Sequence, residues 1–158
     1  MNRAKKILKW VAIAAIAVVI GVQFIGPAKS NPVADQSQAI EAHLQITPQV
    51  ATILEQSCND CHSNKTRWPW YSHVAPVSWF VIDHVDHGRS HLNFSDWGRF
   101  ERREAEEMLG QICKEVQSGA MPLSSYTPLH PGSELTTEEI KVLCDWTSSQ
   151  SASLIQPN

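Results

Sequence analysis

The chain has 158 residues, the length of one domain with a short appendage. Its charge is uneven: residues 1–30 hold five basic side chains and no acidic one, whereas residues 31–158 hold the other eight basic and all 16 acidic side chains. The formal charge of residues 31–158 is therefore −8, which argues against nucleic acid or an anionic surface as a partner.

The N-terminal segment, residues 1–30, predicts a membrane anchor or a signal peptide. It is apolar from Trp10 to Ile25 except for Gln23, and its basic residues lie mostly before this run. That order keeps the N-terminus in the cytoplasm and exports the rest. We expect one uncleaved transmembrane helix in the cytoplasmic membrane; the alternative is a signal peptide cleaved near Ala28-Lys29-Ser30. Either predicts a domain in the periplasm or another extracytoplasmic space.

Residues 31–46 are rich in Gln, Ala, Asn and Pro, which predicts a tether with at most a short helix. A helix should begin at Thr47-Pro48, because threonine is a good N-cap and proline suits the first helical position. Apolar residues then recur at helical spacing at Val50, Ile53 and Leu54.

The most specific feature is the five-residue segment Cys58-Asn59-Asp60-Cys61-His62, called here the attachment motif. Two cysteines two residues apart, followed at once by histidine, are the pattern of c-type haem attachment. Each thiol bonds one vinyl group of haem, so the cysteines must lie about one helical turn apart. His62 can then bind the iron as the proximal ligand. The motif predicts one covalent haem c.

Three other interpretations of the motif are open. A thioredoxin-like dithiol would need βαβ surroundings, and none are evident in the sequence. A zinc site could add Cys113 and Cys144, but these stand singly rather than as a second close pair. The third interpretation is a chance match. The full pattern favours haem over all three.

Aromatic residues and a second helix follow the motif. Trp68-Pro69-Trp70-Tyr71 and Trp79-Phe80 could cover a porphyrin face or form an ordinary aromatic core. Pro76 opens a helical pattern that should end near Gly88, with an apolar face of Val77, Phe80, Val81 and Val85.

Three histidines in this region are spaced like metal ligands: His84, His87 and His91. No carboxylate or cysteine completes a recognisable set, so we expect no second metal site.

The second half of the sequence predicts two further helices. Ser95-Asp96 should cap a long charged helix that ends at Gly119, with an apolar stripe at Met108, Leu109, Ile112 and Val116. Thr136 or Thr137 should cap the last helix, in which Ile140, Leu143 and Trp146 face inward. No alternating strand pattern is longer than a few residues. We therefore predict an all-α fold: a small cytochrome-c-like helical domain over residues 47–150, with a C-terminal tail at 151–158.

Met121 is the favoured sixth iron ligand. It lies between Gly119-Ala120 and Pro122, outside any predicted helix. A thioether favours ferrous iron, and His/Met coordination is usual in electron-transfer cytochromes c. The alternative is a buried loop methionine beside an open or differently ligated iron, with His91 and His130 as the substitute ligands.

Cys113 and Cys144 are the two cysteines that haem would not use. They lie beside the apolar stripes of the last two helices, and an oxidising compartment permits a disulfide. We favour a bond between them over a pair of buried free thiols, although the sequence does not give the helix register.

The chain resembles the bacterial haem-binding-domain proteins, which are small exported proteins, often membrane-anchored, with one c-type attachment site. The shared segments lie at residues 57–64, 66–71, 75–79, 88–95, 121–123 and 129–131, and the likeness covers about residues 31–148. It implies haem binding through Cys58, Cys61 and His62 but no particular activity. One departure is Asn31-Pro32-Val33, where two prolines would be expected after the asparagine; it concerns the tether alone.

Three functions follow from these features. A one-electron carrier with six-coordinate haem is favoured, working with redox partner proteins and held to the membrane by the N-terminal helix. The second is a haem-based sensor or peroxidase-like enzyme with an open or displaceable sixth ligand, for which Arg89 and His91 are the nearest acid/base pair in the sequence. The third is a structural or metal-binding module without haem.

Overall fold

The computed structural model describes residues 3–155, and every regular element in that range is helical, which confirms the all-α prediction there. The α-helices are α1 Arg3–Val22, α2 Ile40–His43, α3 Pro48–Ser57, α4 Asn59–His62, α5 Val77–His91, α6 Arg102–Gln117 and α7 Thr137–Ile155. Short 3-10 helices are η1 Trp70–His73, η2 Phe94–Arg99 and η3 Thr127–Leu129. The described residues fall into two compact units, the smaller within residues 1–30 and 68–84 and the larger within 31–67 and 85–158.

The core of the larger unit lies between α6, α7 and α3. Leu109 of α6 and Leu143 of α7 have no solvent exposure. The apolar stripes predicted for both helices join one buried cluster, together with the inward face of α3. Helical spacing puts these residues on one side of each helix, so packing the helices together removes them from water.

Helix α3 begins where the sequence predicts. The Thr47 side chain accepts a hydrogen bond from the Val50 backbone N–H at 3.3 Å, and Pro48 occupies the first helical position. Val50, Ile53 and Leu54 are buried in the core. The cap and the apolar face together fix both the start and the orientation of the helix that leads into the attachment motif.

Helix α6 begins later than predicted. Ser95 and Asp96 do not cap it, because the Asn93 side chain accepts from the Ser95 N–H and starts η2 instead. The N-cap of α6 is Glu101, which forms a capping box with Glu104. The predicted end is confirmed: Gly119 has φ +72°, a left-handed conformation that glycine adopts without steric cost.

Helix α7 has the predicted cap at Thr136, whose hydroxyl accepts from the Glu139 N–H at 3.2 Å while the Glu139 carboxylate accepts from the Thr136 N–H at 2.8 Å. The helix continues to Ile155, so the predicted tail at 151–158 is helical over its first five residues. Residues 156–158 of that tail lie outside the described residues.

The predicted tether at residues 31–46 packs onto the larger unit. Ala39, Ile40 and Leu44 are buried, and the Gly98 N–H donates to the Gln38 carbonyl at 2.9 Å. The composition of the segment does not indicate this burial, because it depends on contacts with the rest of the unit. The segment is therefore part of the folded unit rather than a free linker.

The predicted transmembrane helix is not supported. Helix α1 forms, but no helix within residues 3–155 is long and apolar enough to cross a membrane. The reason lies in the four basic side chains at its start, Arg3, Lys5, Lys6 and Lys9, which restrict its uninterrupted apolar part to Trp10–Val22.

The smaller unit holds the predicted aromatic segment. The indole Nε1 of Trp79 donates to the Ile25 carbonyl at 2.7 Å, and the Gln23 side chain both accepts from the Ala75 N–H and donates to its carbonyl. The apolar face predicted for α5 is partly wrong, because Val77 and Phe80 are exposed. The apolar side chains that α5 does bury are those of Ile82 and Val85.

Candidate functional site

The attachment motif forms a single helical turn set at an angle to α3. Cys58 ends α3, its N–H donating to the Leu54 carbonyl at 3.0 Å, and its φ/ψ of −128°/−45° changes the chain direction. The next turn is closed by the Cys61 and His62 N–H groups, which both donate to the Cys58 carbonyl, at 3.1 and 2.9 Å. This turn gives the two cysteines the i, i+3 relation that attachment to two vinyl groups requires.

Both motif cysteines are unpaired thiols and partly buried. Burial raises the pKa of Cys58 to about 12 and that of Cys61 to about 11. They are therefore protonated at neutral pH. A dithiol of the thioredoxin type has a lowered pKa instead, so the environment argues against that interpretation.

The zinc interpretation requires two further cysteine ligands, and Cys113 and Cys144 are not available for this role. Cys113 and Cys144 form a disulfide with each other, their Cα atoms 4.8 Å apart, so neither can complete a site with Cys58 and Cys61. In the part of the chain that the structure describes, no group of three or more His, Cys, Asp or Glu side chains is arranged to hold a metal ion. The bond is the pairing that the sequence favours, and it links α6 to α7.

His62 is oriented by a backbone contact. Its Nδ1 donates a hydrogen bond to the Leu92 carbonyl at 3.0 Å. Burial lowers the pKa of His62, so the neutral ring with its proton on Nδ1 is favoured. The lone pair of the neutral ring then lies on Nε2, the arrangement that iron ligation by histidine needs. The buried Phe94 ring lies 6.2 Å from the imidazole, centroid to centroid.

Helix α5 passes directly against the motif, which the sequence did not predict. Gly88 lies inside the helix rather than at its end, and a Cβ at that position would be 2.8 Å from the Cys61 carbonyl oxygen. Only glycine allows the two backbones to approach this closely. Because α5 continues to His91, this histidine belongs to the helix, where it is exposed and packs edge-on against His87 at 4.5 Å.

Asp60, between the two cysteines, is the most connected polar residue of the motif. Its carboxylate is buried and accepts from the Arg67 N–H at 3.0 Å, from Arg67 Nε at 3.2 Å and from the Tyr126 hydroxyl at 2.9 Å. Burial and the Asp60 carboxylate raise the pKa of Tyr126, burial having the larger effect, so the hydroxyl remains a donor. Sequence reasoning missed Arg67 and Tyr126 because neither is close to Asp60 in a recognisable pattern.

Arg89 supports the loop that follows His62. Its Nε donates to the Ser63 carbonyl at 2.8 Å, and its Nη2 donates to the Thr66 hydroxyl at 2.7 Å and the Asn31 side chain at 2.9 Å. The guanidinium is therefore committed to protein groups. These bonds argue against a role of Arg89 as half of an acid/base pair with His91.

Met121 lies in the segment between α6 and α7, residues 118–136, called here the Met121 loop. Two residues after the left-handed Gly119, the Met121 N–H donates to the Glu115 carbonyl at 3.1 Å. The thioether is partly buried and packs on the same hydrophobic cluster as Cys58. His130, the other candidate in this loop, stacks on the Tyr126 ring at 3.7 Å, and its Nδ1 donates to the Tyr126 carbonyl.

These residues fit a covalently bound haem. Two protonated thiols lie on one turn, a neutral imidazole is oriented by a backbone carbonyl, and a thioether and a carboxylate-bound tyrosine lie in a loop of the same unit. A family model described as "Haem-binding domain" matches residues 17–149. No curated protein and no solved structure shows significant similarity to the chain.

Proposed function

Since the chain belongs to the haem-binding-domain family, we propose that it holds one haem c covalently and transfers single electrons outside the cytoplasm. Haem binding itself follows from the family. The covalent bonds would be thioethers from Cys58 and Cys61. When bound, the haem supplies a one-electron Fe³⁺/Fe²⁺ couple; every other part of the function falls to residues of this chain.

The observation that carries the proposal is the hydrogen bond from His62 Nδ1 to the Leu92 carbonyl. It fixes the plane of the imidazole and the tautomer that presents Nε2, directly after two cysteines on one helical turn. In metal sites the partner of the second ring nitrogen is commonly a carbonyl or carboxylate, and it increases the basicity of the ligand.

In this proposal Met121 would supply an iron ligand in addition to His62. Its support is the partial burial of the Met121 side chain, which packs on the same hydrophobic cluster as Cys58 of the attachment motif. A thioether at the sixth position raises the reduction potential and fills the coordination sphere, as an electron carrier needs.

The peroxidase-like alternative is the weaker one, because the Arg89 guanidinium donates its hydrogen bonds to Ser63, Thr66 and Asn31.

The location and the partners are further parts of the proposal. A disulfide between Cys113 and Cys144 is typical of oxidising compartments such as the periplasm, and the basic, then apolar N-terminal segment suits export. The formal charge of −8 on residues 31–158 favours a neutral or basic redox partner over an acidic one.

Visible spectra of the oxidised and reduced full-length protein, with and without carbon monoxide, test the function. An electron carrier gives sharp low-spin bands when reduced and binds carbon monoxide slowly or not at all. A high-spin reduced spectrum that shifts at once with carbon monoxide would contradict the electron carrier and favour the sensor or peroxidase-like alternative.

A further inference from the structure

The buried Asp60 carboxylate joins the attachment motif to the Met121 loop. It lies between the two motif cysteines and accepts the Tyr126 hydroxyl at 2.9 Å, although the two residues are 66 positions apart. Arg67 orients the same carboxylate through its backbone N–H and its Nε. The Tyr126 side chain therefore forms a direct hydrogen bond from the Met121 loop to the attachment motif.

The Tyr126 ring is fixed on its other side by His130. The two rings are stacked at 3.7 Å with an interplanar angle of 12°, and His130 Nδ1 donates to the Tyr126 carbonyl at 2.8 Å. The His130 carbonyl in turn accepts from both the N–H and the hydroxyl of the buried Ser133, at 3.1 and 2.7 Å. A ring held in this way cannot swing away from Asp60 without disturbing the rest of the loop.

Met121 lies five residues before Tyr126, just before the turn that contains Tyr126. The N–H groups of Tyr126 and Thr127 both donate to the Leu123 carbonyl, at 2.8 and 3.3 Å, and Leu123 is two residues after Met121. On the other side, the Met121 N–H is bonded to Glu115 at the end of α6. The backbone that carries Met121 is thus held by α6 on one side and is followed on the other by the turn that contains Tyr126.

We propose that Tyr126 is a positioning residue that holds the Met121 loop against the attachment motif through Asp60. Its hydrogen bond keeps the Met121 thioether in place for ligation and resists its displacement by external ligands. The inference rests on the proposed function in one respect, namely that Met121 is the sixth ligand. Tyr126 itself touches neither the iron nor a substrate in this role.

The test compares Tyr126→Phe with the wild type as full-length haem proteins. The variant keeps the ring and its stacking on His130 but removes the hydroxyl. We expect an unchanged covalent haem content, a carbon monoxide affinity of the ferrous protein at least about tenfold higher, and a weaker long-wavelength band of methionine–ferric haem ligation. Tenfold is the lower end of what losing a hydrogen bond to a charged group gives. Amide hydrogen exchange at residues 119–130 should become faster.

Two further variants separate positioning from general stability. Ser148→Ala removes a hydroxyl of the same unit that donates to the Cys144 carbonyl at 2.8 Å within α7, and it should leave the carbon monoxide affinity unchanged. In an Asp60→Asn background, Tyr126→Phe should change the carbon monoxide affinity less than it does in the wild type, because both substitutions weaken the same hydrogen bond.

The outcomes are distinct. A Tyr126→Phe protein that melts earlier but keeps the wild-type carbon monoxide affinity and methionine band would overturn the inference and leave the proposed function standing. An equal effect of Tyr126→Phe in both backgrounds would overturn the route through Asp60. A wild type without the methionine band would refute Met121 ligation in the proposed function, and the positioning role with it.

Discussion

Gly88 lies so close to Cys61 that a Cβ atom on the glycine would be 2.8 Å from the carbonyl oxygen of the cysteine. Glycine inside a helix is destabilising by roughly 0.5–1 kcal/mol relative to alanine. In α5 this cost is offset by the close packing that glycine allows. It permits the helix backbone to pack on the attachment motif. The same helix leads directly into Leu92, whose carbonyl orients His62.

Gly88→Ala should therefore destabilise the protein in spite of the better helix propensity of alanine. The added methyl group meets backbone rather than a flexible side chain, so we expect a loss of about 1–3 kcal/mol in the free energy of unfolding. Urea denaturation of the haem-free protein measures it. Gly110→Ala is the matched control, because Gly110 lies exposed in α6 and a Cβ atom there would have nothing within 4 Å. That variant should be neutral or more stable; equal midpoints for the two variants would refute the close contact.

The disulfide between Cys113 and Cys144 should stabilise the packing of α6 on α7. It closes a loop of 31 residues in sequence separation, for which the chain-entropy model gives roughly 3–4 kcal/mol. Replacing both cysteines with alanine should lower the free energy of unfolding by about that amount, measured by urea denaturation without reductant. Adding reductant should shift the wild-type midpoint toward that of the double variant and leave the variant unchanged. Two free thiols at these positions in the denatured, unreduced wild type would contradict the bond.

The Cys58 thiol should be protected in the haem-free protein. Burial raises its pKa to about 12, whereas an unfolded cysteine titrates near 9. The thiolate is the reactive form, so alkylation of the folded protein at pH 8 should be far slower than that of the urea-denatured chain. Because the pKa is raised on folding, the associated stability is complete below pH 9 and is lost as the pH rises from 9 toward 12.

Cys61→Ala isolates this thiol, since Cys113 and Cys144 are bonded to each other. The alkylation rates of the folded and the urea-denatured variant are followed by mass spectrometry from pH 7 up to pH 9, the ordinary pKa of a cysteine. Equal rates for the folded and denatured chains throughout that range would show that Cys58 is not buried.

Met121→Ala should convert the low-spin haem protein into one that binds carbon monoxide readily. Removing the thioether leaves the sixth position open or occupied by water, and the reduction potential should fall because the ligand that favours ferrous iron is lost. Met108→Ala is the control: Met108 is partly buried in α6 and should affect stability without changing the spectrum. An unchanged spectrum in Met121→Ala would make His130 or His91 the better candidate.

Local sequence signals predicted the parts of the fold that depend on neighbouring residues. The Thr47 cap, the Gly119 break and the Thr136 cap each rest on a hydrogen bond or backbone angle within a few positions, and all three are confirmed. The attachment motif was likewise recognisable because its chemistry needs five consecutive residues. By contrast, the prediction of a helix end at Gly88 was wrong.

Two of the wrong predictions, the helix end at Gly88 and the tether at residues 31–46, share one physical cause, which is packing between residues far apart in sequence. Gly88 ends no helix because its role is to fit against Cys61, and the segment at 31–46 is folded because Ile40 and Leu44 fill a place in the core. The bond from Tyr126 to Asp60 spans 66 residues, so no local pattern could indicate it. Asp60 itself lies inside the motif, but the haem chemistry that makes the motif recognisable involves only its cysteines and histidine.

The most direct test of the central claim is whether haem remains bound to the chain after denaturation. The protein is expressed with a cytochrome c maturation system, unfolded in acidified organic solvent and weighed by mass spectrometry. Covalent attachment predicts the mass of the chain plus one haem, with the haem on the peptide that contains Cys58 and Cys61, and its loss in Cys58→Ala/Cys61→Ala. Full extraction of haem into the solvent from the wild type would contradict covalent attachment.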